Sequence, residues 1–217
     1  MGDSFFAYKA PEYTDGKRSI NIASFEVEAE SLHSFKELYK RINDWLINED
    51  YKNIYDGRHE FFETLYWERN WGTHKEYQIW WRAWKRPLAK MGETNEDSNK
   101  YFTYFFKINY HTIRIKPAEV MHKGKKWSTN EADTVLRIKA YLVIDDEDWD
   151  KGDTLFGGFL KAIRPRFREW LYKDKIWFHR EFLYRKAFEL QNVIKEFLGE
   201  RLNQDIPPNI YKEKGLG

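Results

Sequence analysis

Imidazole both ligates metals and moves protons near neutral pH, so the six histidines are the first residues to place. His33, His59, His74, His111, His122 and His179 share no common spacing. No pair has the His-Glu-x-x-His separation that sets two rings one helical turn apart over a zinc ion, and His179-Arg180-Glu181 does not replace it. The chain has no cysteine, which removes thiolate metal sites, disulfides and cysteine nucleophiles together. There is no Gly-x-Ser-x-Gly elbow, and Gly157-Gly158 lacks the spacing and the lysine of a phosphate loop. One acidic run, Asp145 to Asp153, alternates Asp146, Asp148 and Asp150 as a calcium loop would. Lys151 then stands where that loop needs glycine, and Gly157 where it needs a bidentate glutamate. The run reads instead as a solvated loop whose Asp153 favours the positive end of a following helix. No metal and no cofactor is expected, and the balance leans away from an enzyme.

The residues that do suggest a function lie on strands, and alternation sorts them into faces. From Lys75 to Arg86 one face carries Tyr77, Ile79, Trp81 and Ala83, and the other Trp80, Arg82, Trp84 and Arg86. From Tyr101 to Thr112 the faces are Phe102, Tyr104, Phe106, Ile108 and Tyr110 against Phe105, Lys107, Asn109 and His111. From Thr134 to Ile144 they are Leu136, Ile138, Ala140, Leu142 and Ile144 against Arg137, Lys139 and Tyr141. Three strands thus predict a dry face and a basic, aromatic one. The second combines cations for an anion with rings for a planar group, a pairing that RNA-binding sheets use. The competing structural reading is that rings and aliphatic stems pack on one another while the charges stay solvated. A further basic stripe, Lys161, Arg164 and Arg168, is expected along a C-terminal helix.

These faces need elements to hold them. The 217 residues are 41% hydrophobic and 33% charged, enough for one sizeable core and too charge-broken for a membrane span. Aromatics reach 18%, with 10 Trp, so rings must fill the core, form a platform, or both. Net charge is only +2, yet Glu26–Glu63 holds ten acids against five bases and Lys161–Lys186 nine bases against three acids. That asymmetry fits steering of a charged partner or head-to-tail self-association. Met1 to Phe6 lacks the character of a secretion signal, and a cytoplasmic location is expected.

Along the chain, residues 1–17 read as an irregular leader, 18–202 as one α+β domain and 203–217 as a tail. Ser19–Glu28 reads as a strand and Ser31 as the cap of a helix over Leu32 to Leu46. Strands follow at His59–Arg69, Lys75–Lys85, Tyr101–Lys116 and Asp133–Asp145, with a hairpin at Asn70-Trp71-Gly72-Thr73 and a smaller one turning at Lys123-Gly124. Two C-terminal helices are expected, the first broken or kinked at Pro165 and the second running to Gly199. The predicted fold is an antiparallel meander of five or six strands, with one N-terminal and two C-terminal helices on one face. That order is similar to the helix-grip arrangement of small-molecule and lipid carriers, in which a curved sheet wraps a long C-terminal helix. The similarity lies in element order and in no residue motif, and it implies an alternative in which the same sheet face lines a cavity.

The function expected from the residues is non-catalytic binding or assembly, with the basic, aromatic face holding a protein, an anionic ligand or RNA. The alternatives are a carrier or helix-grip-like enzyme and a self-associating structural protein.

Overall fold

The structure is a computed structural model that describes residues 18–87, 102–122, 124–144 and 157–199, with the side chains of 18, 31, 32, 122, 127 and 157–174 left aside. The predicted leader, the tail, the loop 88–101 and the acidic run Asp145–Asp153 lie outside the described residues. Among the described residues the elements are β1 (Arg18–His33), α1 (Phe35–Asn48), β2 (Lys52–Asn53), β3 (Glu63–Asn70), β4 (Lys75–Lys85), β5 (Phe102–His122), β6 (Lys125–Ile144) and α2 (Gly157–Leu198). The strands form one antiparallel sheet in the order β1-β6-β5-β4-β2, and β3 also pairs with β4. The class is α+β, as the sequence predicts.

Alternation decides what the sheet buries. Ile79, Trp81 and Ala83 of β4, Phe102, Tyr104, Phe106, Ile108 and Tyr110 of β5, and Leu136, Ile138, Ala140, Leu142 and Ile144 of β6 are all buried in one cluster. Leu38, Ile42 and Leu46 of α1 and Leu183, Ala187, Leu190 and Ile194 of α2 complete it, so both helices cover the same face. Each of the buried Leu and Ile side chains contributes roughly 1.5–3 kcal/mol. Rings lock the layers at defined angles: Trp45 and Tyr51 meet Phe106 edge-on at 5.8 and 5.2 Å, and Tyr39 meets Trp81 edge-on at 4.8 Å.

Three expectations change. Ser34, not Ser31, caps α1, accepting from the Glu37 amide at 3.4 Å. Residues 31–33 remain extended because their ladder with β6 pairs Ser31 with Ala132 and His33 with Asn130, and a long-range partner outweighs local capping preference. Second, the small hairpin at Lys123-Gly124 is the tip of a long one, β5 and β6 pairing from Phe102↔Ile144 to His122↔Lys125. The register shift between Ile113 and Lys116, with Arg114 at φ 56, absorbs the break in alternation that divides the two in sequence. Third, the C-terminal region is one helix, α2, where two are expected. It runs through Pro165 and through Tyr172–Lys175 without interruption. A proline costs one backbone hydrogen bond; α2 has dozens.

Candidate functional site

Register turns the sequence-predicted face into rows. Across β4, β5 and β6 the ladder aligns Trp84 with Phe105 and Tyr141, Arg82 with Lys107 and Lys139, and Trp80 with Asn109 and Arg137. Neighbouring strands lie about 4.8 Å apart, so three cations stand shoulder to shoulder in the middle row. β1 extends the rows: Glu26 lies opposite Arg137, and Ser24 opposite Lys139. This is the face that α1 and α2 leave uncovered. All nine predicted binding residues belong to this region, Arg86 just past the end of β4.

Burial divides the face into two zones. Arg82 and Phe105 are each 1% exposed, and Thr103 and Val143 beside them are also buried. Trp80, Trp84, Arg86, Lys107 and Tyr141 are half-buried, whereas Arg137 and Lys139 are exposed. Phe105 is therefore part of a wall and offers no stacking surface. Arg82 is held from within: its Nη1 donates to the Trp81 carbonyl at 2.8 Å and to Asn109 Oδ1 at 3.0 Å.

The rings are largely engaged by the chain's own groups. The Trp84 indole N–H donates to the Asn53 carbonyl at 2.7 Å, and Lys52 and Arg86 stand 5.9 Å from its ring centroid. Arg82 lies 5.6 Å from the Trp80 ring. Phe105 and Tyr141 tilt against each other at 6.3 Å. These contacts are the internal cation–π and ring packing of the structural reading. Arg137 is bidentate to Glu26, at 2.8 and 3.3 Å, and this hydrogen bond holds the Glu26 carboxyl below its usual range. Glu28 is raised by hydrogen bonding to Glu26 and by its like charge, so the face grades from cations at Lys107 and Lys139 to acids along β1. Lys107 and Lys139 face each other directly across β5 and β6.

His111 Nε2 lies 3.0 Å from Glu76 Oε1, which makes it one half of a surface pair. Lys161, Arg164 and Arg168 fall on α2, in the stretch whose side chains lie outside the described residues. Among the described residues no group of three or more histidines and carboxylates could hold a metal ion.

Two constellations escape sequence reasoning. The Asn53 carboxamide accepts from the amides of Tyr55, Asp56 and Gly57 at 2.9–3.2 Å and donates to the Glu60 carbonyl at 2.7 Å, building the turn on which Trp84 rests. Asp56-Gly57 signals a turn, but nothing in the sequence marks Asn53 as its organiser. Beneath α2, Tyr104 Oη lies 2.8 Å from His179 Nδ1, with the Phe102 ring 4.5 Å from the imidazole. Burial, aided by the Lys175 charge, pulls the His179 pKa down to about 4, and burial pushes the Tyr104 hydroxyl up. The two residues are 75 positions apart, and only the packing of α2 on β5 joins them.

No known protein-family model matches the chain, and no curated protein matches it. The functional reading therefore rests on the geometry.

Proposed function

We propose that the protein is a non-catalytic binding or assembly protein that holds an anionic partner on the sheet face opposite its helices. The observation that carries this reading is the row Arg82, Lys107 and Lys139, set side by side by register with Lys139 open to solvent. An anion seated between Lys107 and Lys139 would meet two ammonium groups that register sets opposite each other. Arg82 is a base for the row and not a contact, since its guanidinium is buried and hydrogen-bonded. Trp80 and Tyr141, half-buried on either side of the row, supply its walls and the edge of a surface for a planar group.

The test is a salt titration of binding to a fluorescent single-stranded oligonucleotide and to inorganic polyphosphate. With Lys107→Ala and Lys139→Ala together, affinity for both probes should fall, and the oligonucleotide's salt slope should drop by about 0.7 for each lysine lost. Trp80→Ala should weaken the oligonucleotide alone, by about 1–3 kcal/mol, if a base stacks there. Affinity and slope unchanged by the lysine substitutions would remove this face from consideration.

A further inference from the structure

The outer sheet face carries both signs of charge, and register separates them. Along β6 the outward residues run Lys139, Arg137, Val135 and Asp133, and opposite them on β1 stand Ser24, Glu26, Glu28 and Glu30. Lys107 lies beside Lys139 on β5. One pole of the face is therefore cationic and the other acidic, with the Arg137–Glu26 ion pair between them. Lys139, Arg137, Glu26, Glu28 and Glu30 are all exposed. Successive outward residues are roughly 6.7 Å apart along a strand, so Lys139 and Glu28 stand about 14 Å apart on neighbouring strands. The midpoint of the line joining them falls on the Arg137–Glu26 pair.

That placement is self-complementary. A two-fold axis lying in the plane of contact and crossing the strands at the Arg137–Glu26 pair sets Lys139 of one copy over Glu28 of a second. The same operation repeats the contact with the roles exchanged, so the assembly closes at two copies. Sheets packed face to face stand about 10 Å apart, within the joint reach of a lysine and a glutamate side chain. Half-buried apolar groups lie in the same rows: Leu65 and Trp80 with Arg137, and Trp67 and Val135 with Glu28.

Charge selects this occupant over an extended polyanion. A polyanion that starts on Lys107 and Lys139 and continues along the strands runs onto Glu26, Glu28 and Glu30, which repel it. A second copy brings a cation to the acidic pole and an acid to the cationic one. We propose that the anionic partner of this face is a second copy of the chain, docked face to face about the Arg137–Glu26 pair. The inference rests on the reading of this face as an anion-binding surface, and it names the anion as Glu28 of the other copy.

Sedimentation velocity of the full chain over a concentration series tests this. Wild type should pass from monomer to dimer as concentration rises, and added salt should shift it back. Lys139→Glu and Glu28→Lys should each weaken the dimer by about tenfold or more, because the two-fold repeats each change. An equimolar mixture of the two variants should recover association, since every contact in the mixed pair again joins opposite charges. Melting temperatures should stay near wild type, because both positions are exposed and neither change sets like charges opposite each other in the sheet. A chain that stays monomeric at every concentration overturns the proposal, as do a dimer indifferent to both substitutions and a mixture that associates no better than either variant alone. Polyphosphate separates this inference from the reading beneath it. A monomer that still binds polyphosphate through Lys107 and Lys139 keeps the anion-binding face and loses the second copy, whereas a monomer that binds none loses both.

Discussion

His179 shows how a residue's surroundings decide its chemistry. Its imidazole is buried between Phe102, Tyr104 and Phe178, and its pKa of about 4 keeps it neutral in the fold, whereas an unfolded histidine titrates near 6.5. Because the folded value is depressed, the unfolded chain binds the proton first as pH falls. The stability owed to the neutral ring is therefore complete above about pH 6.5 and is lost between there and about pH 4. Urea unfolding across that window should show wild type losing on the order of 2–3 kcal/mol that His179→Gln does not lose. Equal slopes for the two proteins would mean that His179 is not buried as a neutral base. At this scale the sequence was legible for residue type and face: all nine predicted residues fall on or beside the outer face. It was not legible for partners, since Arg137 with Glu26, Arg82 with Asn109 and Trp84 with Asn53 join segments far apart in the chain.

Among elements, α2 is the instructive case. A sequence read by periodicity takes the polar stretch Tyr172–Lys175, together with Pro165, for a break between two helices. The backbone remains helical throughout. The strands were legible where alternation runs unbroken in the sequence: Lys75–Lys85 is β4 to the residue. They were less so at β5 and β6, where a register shift interrupts alternation. The two sides of α2 should respond differently to truncation. Leu190→Ala removes a fully buried side chain and should cost about 2–5 kcal/mol. Phe178→Ala, at a position 60% exposed, should cost less than about 1 kcal/mol. Chemical denaturation measures both, and a large loss for Phe178→Ala would mean that this ring is covered within the chain.

On the scale of the molecule, one hydrophobic cluster draws residues from β1 through α2, so the helices, the sheet and the outer face are parts of one packed unit. The sequence predicted the α+β class and helices on a single face, because apolar alternation in three strands leaves only one dry side. The order of strands was beyond it. Nothing local says that β1 lies beside β6 at the edge of the sheet.

That pairing dictates a sequence of events in time. Arg18 pairs with Ile144 and His33 with Asn130, so on a ribosome the first strand is finished long before its partner is made. The β5–β6 hairpin closes through a short turn and pays little loop entropy, whereas docking β1 closes a loop of roughly a hundred residues. The hairpin is then the natural nucleus and β1 the last strand to arrive. Substitutions such as Ile138→Val should slow refolding, and Val27→Ala should chiefly hasten unfolding, as read from the two arms of a denaturant chevron. The reverse pattern would mean that the chain brings its ends together first.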